Sequence, residues 1–205
     1  MTIDPGQADR HPMVAAFLRR PHGALEMVAD ALRVLGAVGV LVAAIAFGPT
    51  DAGVLAFVLP GLLLPRFLGV RPAFDIVYCA LLLVAGWSNV LDLYTRIAWW
   101  DVLVHFACTG VIAVMLYLLL AQLGVVMDPA DDRFTPATAL VLSATLGLAL
   151  SAVWEMVEWI GHTFISGEIF VEYDDTIGDM AMGGLGAVIA GIVLAAVPLR
   201  RARQA

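Results

Sequence analysis

The sequence predicts an all-α, polytopic membrane protein, a bundle of about six transmembrane helices with both termini in the cytoplasm. Three observations lead there. Apolar residues make up 61% of the 205-residue chain, and the mean hydropathy of +0.92 lies far above that of soluble globular proteins. The apolar residues gather into runs long enough to cross a bilayer, which takes about 20 residues of helix. The basic residues, all of them arginine, lie mostly near the ends of those runs, with a bias toward alternate connections that sets orientation.

Taken in order, residues 1–30 read as a cytoplasmic N-terminal segment. Its stretch from His11 to His22, with Phe17, Leu18 and the Arg19-Arg20 pair, suits the membrane surface. The spans fall at approximately residues 31–48, 52–70, 73–93, 101–123, 137–163 and 176–198. The bundle therefore occupies 31–198, and 199–205 form a basic cytoplasmic tail. Pro60 and Pro65 interrupt the second run, which leaves two readings there, a continuous span and a broken or re-entrant helix. Ala44-Ile45-Ala46 after an apolar run resembles a signal-peptide cleavage site. The polar stretch ahead is long for a signal peptide and the spans continue beyond it, so this run is read as a retained helix. No internal repeat or large soluble domain is visible.

Charge places the two faces. Arg10, Arg19, Arg20, Arg66, Arg71, Arg133, Arg200, Arg201 and Arg203 border the spans on what the positive-inside rule makes the cytoplasmic side. The outer side holds Asp51, Asp92, Asp101, Glu155, Glu158, Glu168, Glu172, Asp174, Asp175 and Asp179 against Arg96 alone, a formal −9. With Arg33 of the first span included, the inner side carries a formal +2, and together they make the net −7 of the chain. An outer face so acidic favours cations, and no nucleic-acid partner is expected.

Cys79 and Cys108 are the only cysteines. They fall at different depths on different helices, whereas a disulfide needs alpha carbons within about 7 Å. Both are read as small packing residues; a ligand role for Cys108, three positions after His105, is the alternative.

The chemistry gathers at the outer ends of three helices. The fourth span opens with Trp99-Trp100-Asp101 and carries His105 one turn deeper on the same face. The tryptophans suit an interfacial belt, and Asp101 suits a helix N-terminus. His105 either bonds a backbone carbonyl or serves as a ligand or base. The fifth span ends with Glu155, Glu158 and His162 at i, i+3 and i+7, on one stripe. Two glutamates this close and this deep are hard to keep ionised without a cation; the plain alternative is a hydrogen-bonded, partly protonated pair. The sixth span starts at Asp175, a natural cap, with Asp179 a turn deeper. Gly183, Ala187 and Gly191 follow at spacing four, a seam that lets a neighbouring helix approach closely and carries Asp179 toward the glutamates. Arg96 is read as an exposed loop ion pair, with an anion clamp beside the cluster as the alternative. Asn89 and Asp92 are minor candidates.

Trp-Trp-Asp-x-x-x-His at 99–105, Trp-Glu-x-x-Glu-Trp at 154–159 and Asp-Thr-x-x-Asp followed by glycines at 175–186 resemble the YjdF-like family of small bacterial inner-membrane proteins. The order of motifs also resembles, more loosely, the VanZ-like family. There a glutamine and an arginine usually follow the glutamate, where this chain has Glu158 and His162. The resemblance implies a multi-pass protein of the bacterial cytoplasmic (inner) membrane with these residues as its polar cluster, and it implies no particular reaction.

Three functions compete. The first is a metal-dependent membrane enzyme with His105, Glu155, Glu158, His162 and Asp179 as ligands and Asp101 and Asp175 as acid/base or outer-layer groups. Mixed imidazole and carboxylate donors suit zinc, manganese or iron, and the substrate would be lipid-linked, entering at the outer leaflet. The second is a proton- or cation-coupled transporter, against which the ionisable residues thin out in the inner half. The third is a structural or regulatory membrane subunit held together by buried hydrogen bonds. A cation-binding acidic site facing outward, catalytic in the first reading, is the expectation carried forward.

Overall fold

The computed structural model describes residues 11–165, 167, 169 and 171–201. Arg10, Glu168 and Arg203, used in the charge analysis, lie outside the described residues. Eight helices are described in all: α1 (Pro12–Leu18), α2 (Ala24–Ala46), α3 (Pro49–Leu68), α4 (Pro72–Val90), α5 (Leu93–Arg96), α6 (Trp100–Gln122), α7 (Pro136–Phe164) and α8 (Tyr173–Ala196). Six of them, α2, α3, α4, α6, α7 and α8, are long and apolar enough to cross a membrane, matching the six runs read from the sequence. Among the described residues the helices divide into two compact units, one within residues 11–90 with 199–201 and the other within 91–198.

In the first unit, α2 turns a stripe of small residues, Ala29, Gly36, Gly39 and Ala43, inward. Leu62 of α3 sits where a side chain on Gly36 would be, and the Trp87 ring of α4 packs in ordinary contact over Gly39, so close helix approach replaces side-chain bulk. The other face of α2, with Leu35, Val38, Leu41 and Ile45, is exposed, as a lipid-facing surface requires. Helix α3 runs unbroken through Pro60 and Pro65, the continuous one of the two readings. Proline at 65 has no N–H for the carbonyl four residues back. Beside that gap, the Leu62 carbonyl accepts from Arg33 Nε at 2.9 Å and from the Cys79 thiol at 3.6 Å. Neighbouring helices thus bond the carbonyl adjacent to the freed one, the kind of inter-helix contact that accompanies proline in membrane helices. Gly69, in the left-handed region at φ 62°, ends α3, and its conformation lets Val70 N–H reach the Pro65 carbonyl.

Charged groups pair at one end of this unit. Arg33 bonds Asp75 at 2.5 Å, both side chains 9% exposed, and Asp30 at 3.0 Å. Arg66 bonds Asp30 and donates to the carbonyls of Phe17 and Arg19, while Phe17 stacks on Phe67 at 4.3 Å; together these fasten α1 to α3. Glu26 accepts from Arg19, from His22 N–H and from Arg201. Backbone bonds from Arg71 to Leu199 and from Arg201 to Gly69 hold the chain's last described residues in the same unit.

In the second unit, α6 is the most buried helix, and both α7 and α8 pack on it. Thr135 caps α7 by accepting from Thr138 N–H at 3.1 Å, with Pro136 in the first turn. In the connection before it, Tyr117 donates to the Met127 carbonyl at 2.7 Å. The Asp131 carboxyl there is held down at about 2 by hydrogen bonds from Arg133. Cys79 and Cys108 are both buried, and no disulfide joins them.

Candidate metal centre

The acidic residues meet where α6 and α8 begin and α7 ends. Carboxylates in the first turns of α6 (Asp101) and α8 (Asp174, Asp175) sit where the helix dipole favours negative charge. What brings the three ends together is the absence of side chains on α8. A methyl on Gly186 would run into the Phe106 carbonyl oxygen of α6, and one on Gly183 into Ser151 Oγ of α7. Gly110 of α6 in turn lies 2.7 Å, measured from an added Cβ, from the Gly186 carbonyl oxygen. Further along, Gly191 abuts Ala139 and Ser143, and Gly147 abuts Ala187. The seam of Gly183, Ala187 and Gly191 thus meets α7, and Gly186, outside that seam, meets α6.

His105 is the hub. It is 6% exposed, and its Nε2 lies 3.4 Å from Asp101 Oδ1 and 4.0 Å from Asp179 Oδ2. Two overlapping groups form around it. Asp101, His105 and Asp179 bring one ligand atom each within 4.8 Å of one another, and so do His105, Glu155 and Glu158. Asp179 is 2% exposed, and its Oδ1 together with Glu155 Oε1 is buried with no hydrogen-bond partner among the described residues. Buried carboxylate oxygens are ordinarily satisfied by hydrogen bonds or metal.

The seven site residues read from the sequence separate here. Asp101, His105, Glu155, Glu158 and Asp179 come together. Asp179 reaches His105, and the glutamates join through the same imidazole. His162 does not join either group: it is exposed, and its Nδ1 lies 2.6 Å from the Ile169 carbonyl oxygen. Asp175, half-buried one turn before Asp179, belongs to neither group, and neither does Cys108. Arg96 pairs with Asp92 at 3.4 Å, both about two-thirds exposed, as the loop reading expects. Two hydroxyls went unnoticed in the sequence. Ser151, one turn below Glu155, is 1% exposed with an unpartnered Oγ, and Thr109 lies one turn below His105. Both face Gly183. Their signal was the continuation of each polar stripe at i±4.

Trp99, Trp154 and Trp159 stand exposed around this end of the unit, as side chains at a membrane interface do. A multi-pass helical membrane protein with a buried imidazole–carboxylate cluster at one end of three helices is the class these features define. The chain belongs to the family described as predicted membrane protein (DUF2238), which it matches over residues 31–200. Neither a curated protein nor a solved structure matches it.

Proposed function

We propose that the cluster binds a divalent transition metal, zinc, manganese or iron, and that the protein is a metal-dependent hydrolase or transferase acting on a lipid-linked substrate. The observation that carries this reading is the Asp179 carboxylate, buried beside His105 with one oxygen unpartnered. Uncompensated carboxylate charge at such a place is costly, and a cation relieves it. His105, Glu155, Glu158 and Asp179 serve as ligands, a donor set that suits these metals and resembles the inward carboxylates and histidines of other bundle sites. Asp101, close to the imidazole, orients it, and Asp175 at the rim is the acid/base group. Bound metal would activate water or polarise a phosphoryl or carbonyl oxygen.

The distribution of arginine supports placing this end outside and both termini in the cytoplasm. The exposed tryptophans support a depth near the headgroups, where a lipid-linked substrate presents its polar part. The motifs at 99–105, 154–159 and 175–186 support grouping the chain with YjdF-like proteins of the bacterial inner membrane.

Metal content by mass spectrometry tests the reading, on detergent-purified protein beside the Glu155→Gln/Glu158→Gln variant. Near-stoichiometric transition metal in the wild type, reduced in the variant, is expected, together with chelator-sensitive release of product from membrane lipid extracts. No metal in either protein after resupply, with both folded, refutes the metalloenzyme. Metal without any lipid turnover removes the hydrolase and leaves cation-coupled transport.

A further inference from the structure

We infer that the cluster is a two-cation centre, in which Asp101, His105 and Asp179 hold one divalent ion, and Glu155 and Glu158, with the same imidazole at their edge, hold the second. This rests on the metal-binding reading above and moves Asp101 from orienting the imidazole to ligating a cation.

Geometry is the first support. The donors form two triads with one shared member, each within 4.8 Å internally, and each triad brings its own pair of carboxylates. The pairs also come from different places: Asp101 and Asp179 from the starts of α6 and α8, Glu155 and Glu158 from the end of α7.

Charge is the second. Four carboxylates ligating as anions carry −4. One divalent ion leaves −2 in a place where Asp179 is 2% exposed and His105 6%; two divalent ions leave none. Arginine brings no relief, since Arg96 and Arg133, the two arginines of this unit, pair with exposed Asp92 and with Asp131. Isolated charge is strongly disfavoured in such surroundings, and two divalent ions balance four ionised carboxylates, where one ion leaves two of them to be neutralised by protons.

The unpartnered oxygens are the third. One belongs to each triad, Asp179 Oδ1 to the first and Glu155 Oε1 to the second. A single ion seated in one triad leaves the other's oxygen without a partner.

The experiment strips purified full-length protein with chelator, reloads it with manganese(II) alone, and counts metal per chain by mass spectrometry. Electron paramagnetic resonance of the same sample reports whether the ions are coupled. Two manganese ions per chain with an exchange-coupled spectrum are expected in the wild type. One ion with an isolated six-line spectrum is expected in Asp101→Asn/Asp179→Asn and in Glu155→Gln/Glu158→Gln. One ion per chain in the wild type overturns the two-cation centre and leaves the single-metal reading standing, whereas none overturns both. The wild-type count decides the matter even if a variant fails to fold.

Discussion

Replacing Gly186 by alanine probes the contact on which the site depends. The added methyl would collide with the carbonyl oxygen of Phe106 and lie 2.8 Å from its carbonyl carbon, where ordinary contact is 3.4–4 Å. The obstacle is helix backbone, which cannot rotate aside as a side chain can, so α6 and α8 must separate by more than half an ångström. Overpacking of this kind costs about 1–3 kcal/mol, and a backbone obstacle places Gly186→Ala near the upper end. Alanine's helix preference over glycine returns about 1 kcal/mol. Gly178→Ala, on the same helix with nothing within 4 Å of its added methyl, keeps that gain without the collision. The two variants should therefore differ by about 2–3 kcal/mol, which for a chain of this size is on the order of 5–10 °C in melting temperature. Tryptophan-fluorescence melting in detergent reads the difference, and metal content gives a second measure, since the same displacement carries Asp179 away from His105. Equal melting temperatures with full metal occupancy in Gly186→Ala would refute close α6–α8 packing as the device that assembles the cluster.

Two further predictions concern single side chains. Arg33→Met leaves the buried Asp75 carboxylate without its guanidinium and should cost about 3–5 kcal/mol in thermal or denaturant unfolding, with Arg33→Met/Asp75→Leu recovering most of it; no recovery in the double variant would show that Arg33 acts through its bond to the Leu62 carbonyl instead. His105→Ala should abolish metal binding, while His162→Ala, losing one exposed contact to the Ile169 carbonyl, should keep full metal content and cost about 1 kcal/mol or less; equal metal loss in both would restore His162 to the ligand set.

Much of the site was legible because helical periodicity is a local property. Asp101 and His105, or Glu155 and Glu158, share a face whatever else the chain does, and a glycine seam at spacing four announces close approach before the partner is known. Periodicity does not say how far a stripe stays covered. His162 lies on the same stripe as Glu155, yet it sits in the last turn of α7, where it is exposed and meets the Ile169 carbonyl. The continuity of α3 was illegible for a related reason. A proline's cost depends on whether another helix supplies partners beside the lost bond, and the partners here, Arg33 and Cys79, lie 29 and 17 residues from Leu62.

By itself the sequence determined the class: six apolar runs of bilayer length, a bias of arginine to one side, and acidic and imidazole groups at the ends of three helices. These follow from composition and from the 3.6-residue repeat, which act within a segment. Only the tertiary structure decided that His105 would be the member shared by both groups, that Asp179 would turn to it, and that Arg33 would find Asp75 across 42 residues. Such pairings depend on which helices lie side by side and how closely their backbones approach. In the second unit that distance is set by Gly110, Gly183 and Gly186 against the atoms they face.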